Sequence, residues 1–152
     1  MKTISKEDIQ DQVGIASAPS EWFTVTQAQI DQFADCTLDN QYIHTDPEKA
    51  KGTQFGSTIA HGFLSLSMLS YFSLSFANII DGTYMGINYG FDKIRFLTPV
   101  KVDSRIRAQA KVLDITEKHP GQFVTKTEVN IEIEGEDKPA LVALWITVQM
   151  VA

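Results

Sequence analysis

His61-Gly62-Phe63-Leu64-Ser65-Leu66-Ser67-Met68-Leu69-Ser70-Tyr71-Phe72-Ser73-Leu74-Ser75-Phe76-Ala77 lies within a longer run, Gly52 to Ile80, that holds no Asp, Glu, Lys or Arg. Its large apolar residues fall on most sides of a helical wheel. A helix apolar nearly all round in a soluble protein is a core helix. A membrane span would need about 20 predominantly apolar residues. Here Ser57, Ser65, Ser67, Ser70, Ser73 and Ser75 interrupt the run, and Asn78 follows. The reading is one helix from near His61 to about Ala77, roughly 25 Å long at 1.5 Å per residue, buried inside the protein.

Downstream of Asp81-Gly82 the period changes to two. Tyr84–Phe96 reads as one or two strands. In Arg105–Lys111 the even positions Ile106, Ala108 and Ala110 are apolar, continuing to Val112. From Phe123 to Ile133 the odd positions Phe123, Val129, Ile131 and Ile133 form the apolar face. Such alternation marks antiparallel strands with one face toward the core. Leu141–Val151 is apolar on nearly both faces, as a central strand is. Turn residues separate these runs at Pro99–Asp103, His119-Pro120-Gly121 and Glu134–Asp137. One long helix followed by a run of antiparallel strands is an α+β layer arrangement, with a curved sheet wrapped around the helix.

Upstream, residues 1–20 read as a short helix or loop, then an irregular segment. Glu21–Val25 is a short strand candidate. Thr26 is placed to N-cap a helix carrying Ile30, Phe33 and Ala34 on one face. Asp46-Pro47 has the order of an N-cap and a first-turn proline.

The chain's 152 residues fit one domain, residues 1–152, large enough to bury roughly two-thirds of its unfolded surface. Thirteen Lys and Arg against nineteen Asp and Glu leave a net charge of −6. That balance argues against binding nucleic acid or an anionic membrane through the overall field. Cys36 is the single cysteine, so no internal disulfide forms, and it is expected to be buried on a helix face. The N-terminal residues contain no apolar run, so no secretory signal is expected and the expected location is cytoplasmic.

The densest polar cluster is Asp39-Asn40-Gln41-Tyr42-Ile43-His44-Thr45-Asp46. Asp39 and His44 are five apart and do not share a face of one regular helix. On a loop they can converge, and a carboxylate and an imidazole that do so hold a water and move its protons at neutral pH. From spacing alone a second reading stays open, with Asp39 capping a turn and His44 an ordinary surface histidine. At Ile59-Ala60-His61-Gly62 a polar loop enters the long helix. Amides in a first helical turn are unpaired and favour developing negative charge, and glycine admits a ligand close to the backbone. Gly62 N–H could therefore act as an oxyanion-hole donor; equally, Gly62 could serve only close packing and His61 cap the helix.

These two motifs in this order resemble the MaoC-like branch of the hot dog fold superfamily, which includes (R)-specific enoyl-CoA hydratases, and within it the NodN-like subgroup. The likeness extends through Gly86-Ile87-Asn88-Tyr89-Gly90, covering roughly residues 20–150 in element order. The family's Asn and Pro fall on Gln41 and Tyr42 here, a departure shared with that subgroup. The resemblance implies Asp39 and His44 as the catalytic pair; Gly62, from its place at the helix start, is the third catalytic candidate. It implies a homodimer with sheets joined edge to edge and acyl tunnels near the subunit boundary. Ser70 falls where the hydratases place a serine that supports the catalytic loop.

His61, Ser70, Asn88, Lys93 and Arg95 are the candidate substrate-binding residues. Lys93 and Arg95 could face the phosphates of a coenzyme A arm or simply be solvated. The implied activity, within fatty acid metabolism, is reversible hydration of a trans-2-enoyl thioester to the (R)-3-hydroxyacyl thioester. Coenzyme A or acyl carrier protein would be the carrier, with no separate cofactor. With His44, His61 and His119 as the only histidines and no metal-ligand spacing, no metal is expected. Two other readings remain, thioester hydrolysis on the same scaffold and a non-catalytic acyl-binding module.

Overall fold

The computed structural model describes residues 2–152. The N-terminal part contains β1 (Lys2–Ile4), a 3-10 turn (Ile9–Gln12), β2 (Phe23–Thr24) and helix α1 (Gln27–Thr37). Two four-residue helices follow, α2 (Tyr42–Thr45) and α3 (Pro47–Ala50), then α4 (Gly62–Ser67) and α5 (Leu69–Phe76). After β3 (Asn78–Ile80) come four long strands, β4 (Thr83–Phe96), β5 (Arg105–His119), β6 (Gln122–Ile133) and β7 (Leu141–Val151).

The long strands and β2 form one antiparallel sheet in the order β2-β5-β6-β7-β4. The alternation read from sequence is the alternation of burial: Ile106, Ala108 and Ala110 on β5 and Phe123, Val129, Ile131 and Ile133 on β6 all point inward. Irregular register in β4 at Asn88/Gly90 and Phe91/Lys93, and in β5 at Val112/Asp114, bends the sheet. The concave face holds the helix, which is the hot dog fold. The turn at Gly121 requires glycine: φ is +75°, and a Cβ there would collide with the Val151 carbonyl.

The central helix starts and stops where expected, with a local irregularity at Met68 between α4 and α5. Its hydrogen bonding nevertheless continues through that point, Met68 N–H to Leu64 O at 3.1 Å and Phe72 N–H to Met68 O at 2.9 Å. Ser65, Leu69 and Phe72, spaced at helical period, face the sheet and are buried with Ile30, Ile106, Val129, Ile131 and Leu141. The opposite face is not enclosed. Phe63 (66%), Tyr71 (50%) and Leu74 (52%) are exposed, because one sheet covers only one side of a cylinder. Expected burial all round is thus corrected to burial on one side.

Thr26 caps α1 in a reciprocal box with Gln29, and Asp46 caps α3 ahead of Pro47. The expected buried Cys36 is instead exposed on α1. β1 and β3, which pair in parallel, were not legible because three-residue strands carry no period of their own. Among the described residues no helix is long and apolar enough to cross a membrane.

The start of α4 is pinned by an aromatic ring: a Cβ on Gly62 would lie 3.0 Å from two atoms of Phe96. Gly62→Ala is expected to cost about 1 kcal/mol of stability through overpacking. The loss should vanish in a Phe96→Ala background, as measured by urea denaturation of the four proteins of the cycle.

Candidate active site

His44 is the third residue of the short helix α2 and is buried, 7% exposed. Three contacts place it. Ile59 N–H bonds the Ile43 carbonyl at 3.0 Å, tying the Thr58–Ala60 strap to α2. The strap is itself held from behind, Ala60 N–H to Val100 O at 2.7 Å and Val102 N–H to Thr58 O at 3.0 Å. Gln27 at the start of α1 donates Nε2 to the His44 carbonyl at 2.7 Å and accepts the Thr58 hydroxyl at 2.5 Å. The ring then reaches Ile59: His44 Nδ1 lies 2.7 Å from the Ile59 carbonyl.

A carbonyl oxygen only accepts, so His44 Nδ1 carries a hydrogen, and in the neutral ring Nε2 is left with its lone pair. Burial pushes the His44 pKa below its ordinary value of 6.5, and the neighbouring His61 adds to this; the Ile59 hydrogen bond and Asp39 oppose it. At neutral pH the ring is therefore an uncharged acceptor.

Asp39 follows α1 and the left-handed Leu38 (φ 62°). A carboxylate oxygen of Asp39, a ring nitrogen of His44 and one of His61 all lie within 4.8 Å of one another. Two hydrogen bonds of about 2.8 Å meeting at one oxygen span such a gap, so Asp39 and His44 can share one water. The carboxylate side chain is half-exposed, giving that water an entry.

His61 does not cap the helix; its side chain makes no cap bond. It is 3% exposed, and its Nε2 donates to the Asp39 backbone carbonyl at 2.9 Å. Its ring stacks on His44 with centroids 3.8 Å apart and planes at 23°, and Phe33 packs on it as well. His61 thus holds the Asp39 loop against His44. The Asp39, His44 and His61 trio is the metal-ligating constellation present among the described residues. His44 Nδ1 and His61 Nε2 are already hydrogen-bonded to backbone carbonyls.

Gly62 N–H precedes the first helical bonds, which Leu64 and Ser65 N–H make to the His61 carbonyl. Gly62 and His44 line one small cavity of about 240 Å³, bordered by Ser65, Phe96 and Val100. His44 stands between the other two, within 4.8 Å of the Asp39 carboxylate and on the cavity that Gly62 lines, which Asp39 itself does not border.

The other expected residues separate from it. Ser70 and Asn88 meet each other, Asn88 Nδ2 to Ser70 Oγ at 3.3 Å, but on a second, larger cavity. Lys93 and Arg95 are exposed on β4 and border neither cavity; Arg95 bonds the Ile94 carbonyl. Sequence reasoning missed Gln27 and the Ile59 carbonyl. Gln27 sits just after a capping threonine, where a glutamine looks like helix surface, and a backbone carbonyl leaves no trace in residue identity.

A family model described as "MaoC like domain" matches residues 8–134. Nodulation protein N of Rhizobium leguminosarum bv. viciae is 45% identical over 149 residues, covering 97% of this chain and 92% of that protein. The 3-hydroxyacyl-thioester dehydratase Z of Mycobacterium tuberculosis is 39% identical over 139 residues, 91% of each. Among solved structures, a monoamine oxidase regulatory protein from Archaeoglobus fulgius superposes with a TM-score of 0.79 at 29% identity. That match covers 100% of this chain and 97% of that one. The likeness runs through both motifs around His44 and Gly62 and through the sheet that carries them, and the chain belongs to the MaoC-like dehydratase domain family, a family of lyases.

Proposed function

We propose that the protein reversibly hydrates a trans-2-enoyl thioester to the (R)-3-hydroxyacyl thioester, with residues 1–152 acting as one catalytic unit. The observation that carries this reading is the convergence of the Asp39 carboxylate and the neutral, buried His44 within 4.8 Å, beside the cavity that His44 shares with Gly62. The hydratase–dehydratase class is supported by the dehydratase relative from M. tuberculosis.

In the proposed reaction, water bound between Asp39 and His44 gives a proton to His44 Nε2 as its oxygen bonds the β-carbon. The alkene electron pair moves to the α-carbon and the thioester oxygen, where charge builds opposite Gly62 N–H. Loss of such a donor typically costs about 3 kcal/mol of barrier. The imidazolium, stabilised by the Asp39 carboxylate, returns the proton to the α-carbon. One O–H and one C=C π bond are exchanged for one C–O and one C–H bond. His44 is assigned as base because Nε2 is the bare nitrogen.

Asp39→Asn and His44→Ala are each expected to lower kcat/KM on crotonyl-CoA by about 100-fold or more while leaving the circular dichroism spectrum unchanged. In the wild type, kcat/KM should be level at neutral pH. It should fall on acidification with an apparent pKa under 6.5, since protonation consumes the Nε2 lone pair. Near-normal turnover in both variants, or release of free thiol in place of loss of the enoyl absorbance, would overturn the reading.

The proposed partner is a second copy of the chain. β4 is the edge of the sheet, fourteen residues long, with one side free of any strand. Tyr84, Met85, Ile87, Tyr89 and Phe96 are exposed along it, and Phe63 of the open helix face touches Phe96. A long apolar edge left bare in solution is an aggregation hazard that pairing removes. Light scattering should give twice the chain mass for the wild type and the single-chain mass for Met85→Lys/Tyr89→Lys. A monomeric wild type would refute the edge pairing.

A further inference from the structure

The large cavity between the sheet, α5 and the Ile9–Gln12 turn has a volume of about 450 Å³, within the range of ligand sites. Its floor breaks the hydrophobic pattern of the sheet. On β6 the inward positions read Phe123, Thr125, Thr127, Val129, so two hydroxyls occupy the middle of an otherwise apolar face. The register carries this polarity across the sheet. Thr127 pairs with Trp145, and Thr125 pairs with Thr147, which in turn pairs with Asn88. Residues opposite one another share a face. Asn88 then bonds Ser70, closing the ring onto the helix.

Two further facts restrict what this space can hold. None of the lining residues is Asp, Glu, Lys, Arg or His, so nothing there neutralises a charged ligand. Thr125, Thr127, Thr147, Asn88 and Ser70 all border the space, so it offers several neutral hydrogen-bond donors and no counter-charge. An empty cavity with this lining would fill with water. A purely hydrocarbon ligand would displace that water and return no hydrogen bonds.

The cavity lies within reach of the reacting centre. Ser65 borders the small cavity beside His44 and Ser70 borders the large one. Eight helical residues, roughly 12 Å, separate Gly62 from Ser70. We infer that the preferred substrates are acyl thioesters whose chain carries an uncharged hydrogen-bond acceptor beyond the reacting carbons. An ether, hydroxyl or keto oxygen of this kind would be received by the hydroxyls of Thr125, Thr127 and Thr147. The inference deepens the proposed hydration and rests on it for the identity of the thioester; the polarity of the chamber is independent of it.

The test uses saturated acyl-CoA esters, which cannot be hydrated. Octanoyl-CoA is compared with a set in which one methylene at a time, from C5 to C8, is replaced by oxygen. Binding is followed by calorimetry and by the threonine methyl signals of the wild-type protein. At one oxygen position, affinity should exceed that of octanoyl-CoA by about tenfold, the worth of one well-placed hydrogen bond. The Thr125 and Thr127 methyl signals should shift further with that ester than with octanoyl-CoA. Thr125→Val/Thr127→Val, which keeps the shape and removes two hydroxyls, should bring the two ligands to equal affinity.

Equal or weaker binding of every oxygen-bearing ester, or threonine signals in the wild type that do not distinguish it from octanoyl-CoA, would overturn the inference and leave the chamber to water. The wild-type spectra decide the matter if the variant fails to fold. Hydration of crotonyl-CoA without any oxygen preference would sink this inference and spare the proposed reaction. Oxygen-selective binding without hydration of any enoyl-CoA would do the reverse.

Discussion

The hydrogen bond from His44 Nδ1 to the Ile59 carbonyl is the contact on which the site turns. It fixes which nitrogen holds the proton and leaves the other with its lone pair. It also joins two segments that are fifteen residues apart, the loop after α1 and the strap before α4. Because the strap is hydrogen-bonded to Val100 and Val102 in the β4–β5 connection, which is bonded in turn to Val25, the imidazole is referenced to a braced segment rather than to a free loop. Gln27 repeats the connection from α1. A hydrogen-bond network with a rigid scaffold behind it is what keeps a water-binding pair within the narrow tolerance that proton transfer needs.

The histidine pair shows burial and chemistry acting together. Stacking His61 on His44 excludes water from both rings and makes a second positive charge there costly. The same His61 donates to the Asp39 backbone, so the residue that discourages protonation of His44 also steadies the carboxylate's loop. Its Nδ1 is buried without a partner. The stability of the fold follows the same sign. His44 has a folded pKa below its unfolded value, so the unfolded chain takes up a proton first as pH falls through 6.5, and acid weakens the native state.

Much of the architecture was legible because periodicity reports burial directly. The even positions of Arg105–Lys111 and the odd positions of Phe123–Ile133 are the buried ones. Thr26 and Asp46 cap as their side chains dictate. The helix was read with correct limits but as buried on every side, because composition shows how apolar a surface is and not how much of it one sheet can cover. Phe63, Tyr71 and Leu74 remain open for that geometric reason. Ser70, placed by resemblance beside the catalytic loop, faces Asn88 across the other cavity. Thr125 and Thr127 were present in the pattern as unexplained interruptions of an apolar face.

Local chemistry along the chain was enough to determine the long strands, the caps, the helix ends and the residue types able to move a proton, since each depends on neighbours within a few positions. The chain folded in three dimensions decided the rest. It brought Asp39 to His44, selected the imidazole tautomer, and left Trp145 without an acceptor. Each of these depends on a partner far away in sequence, often a backbone carbonyl that every residue possesses. No arrangement of side-chain identities marks which carbonyl will be the one in reach.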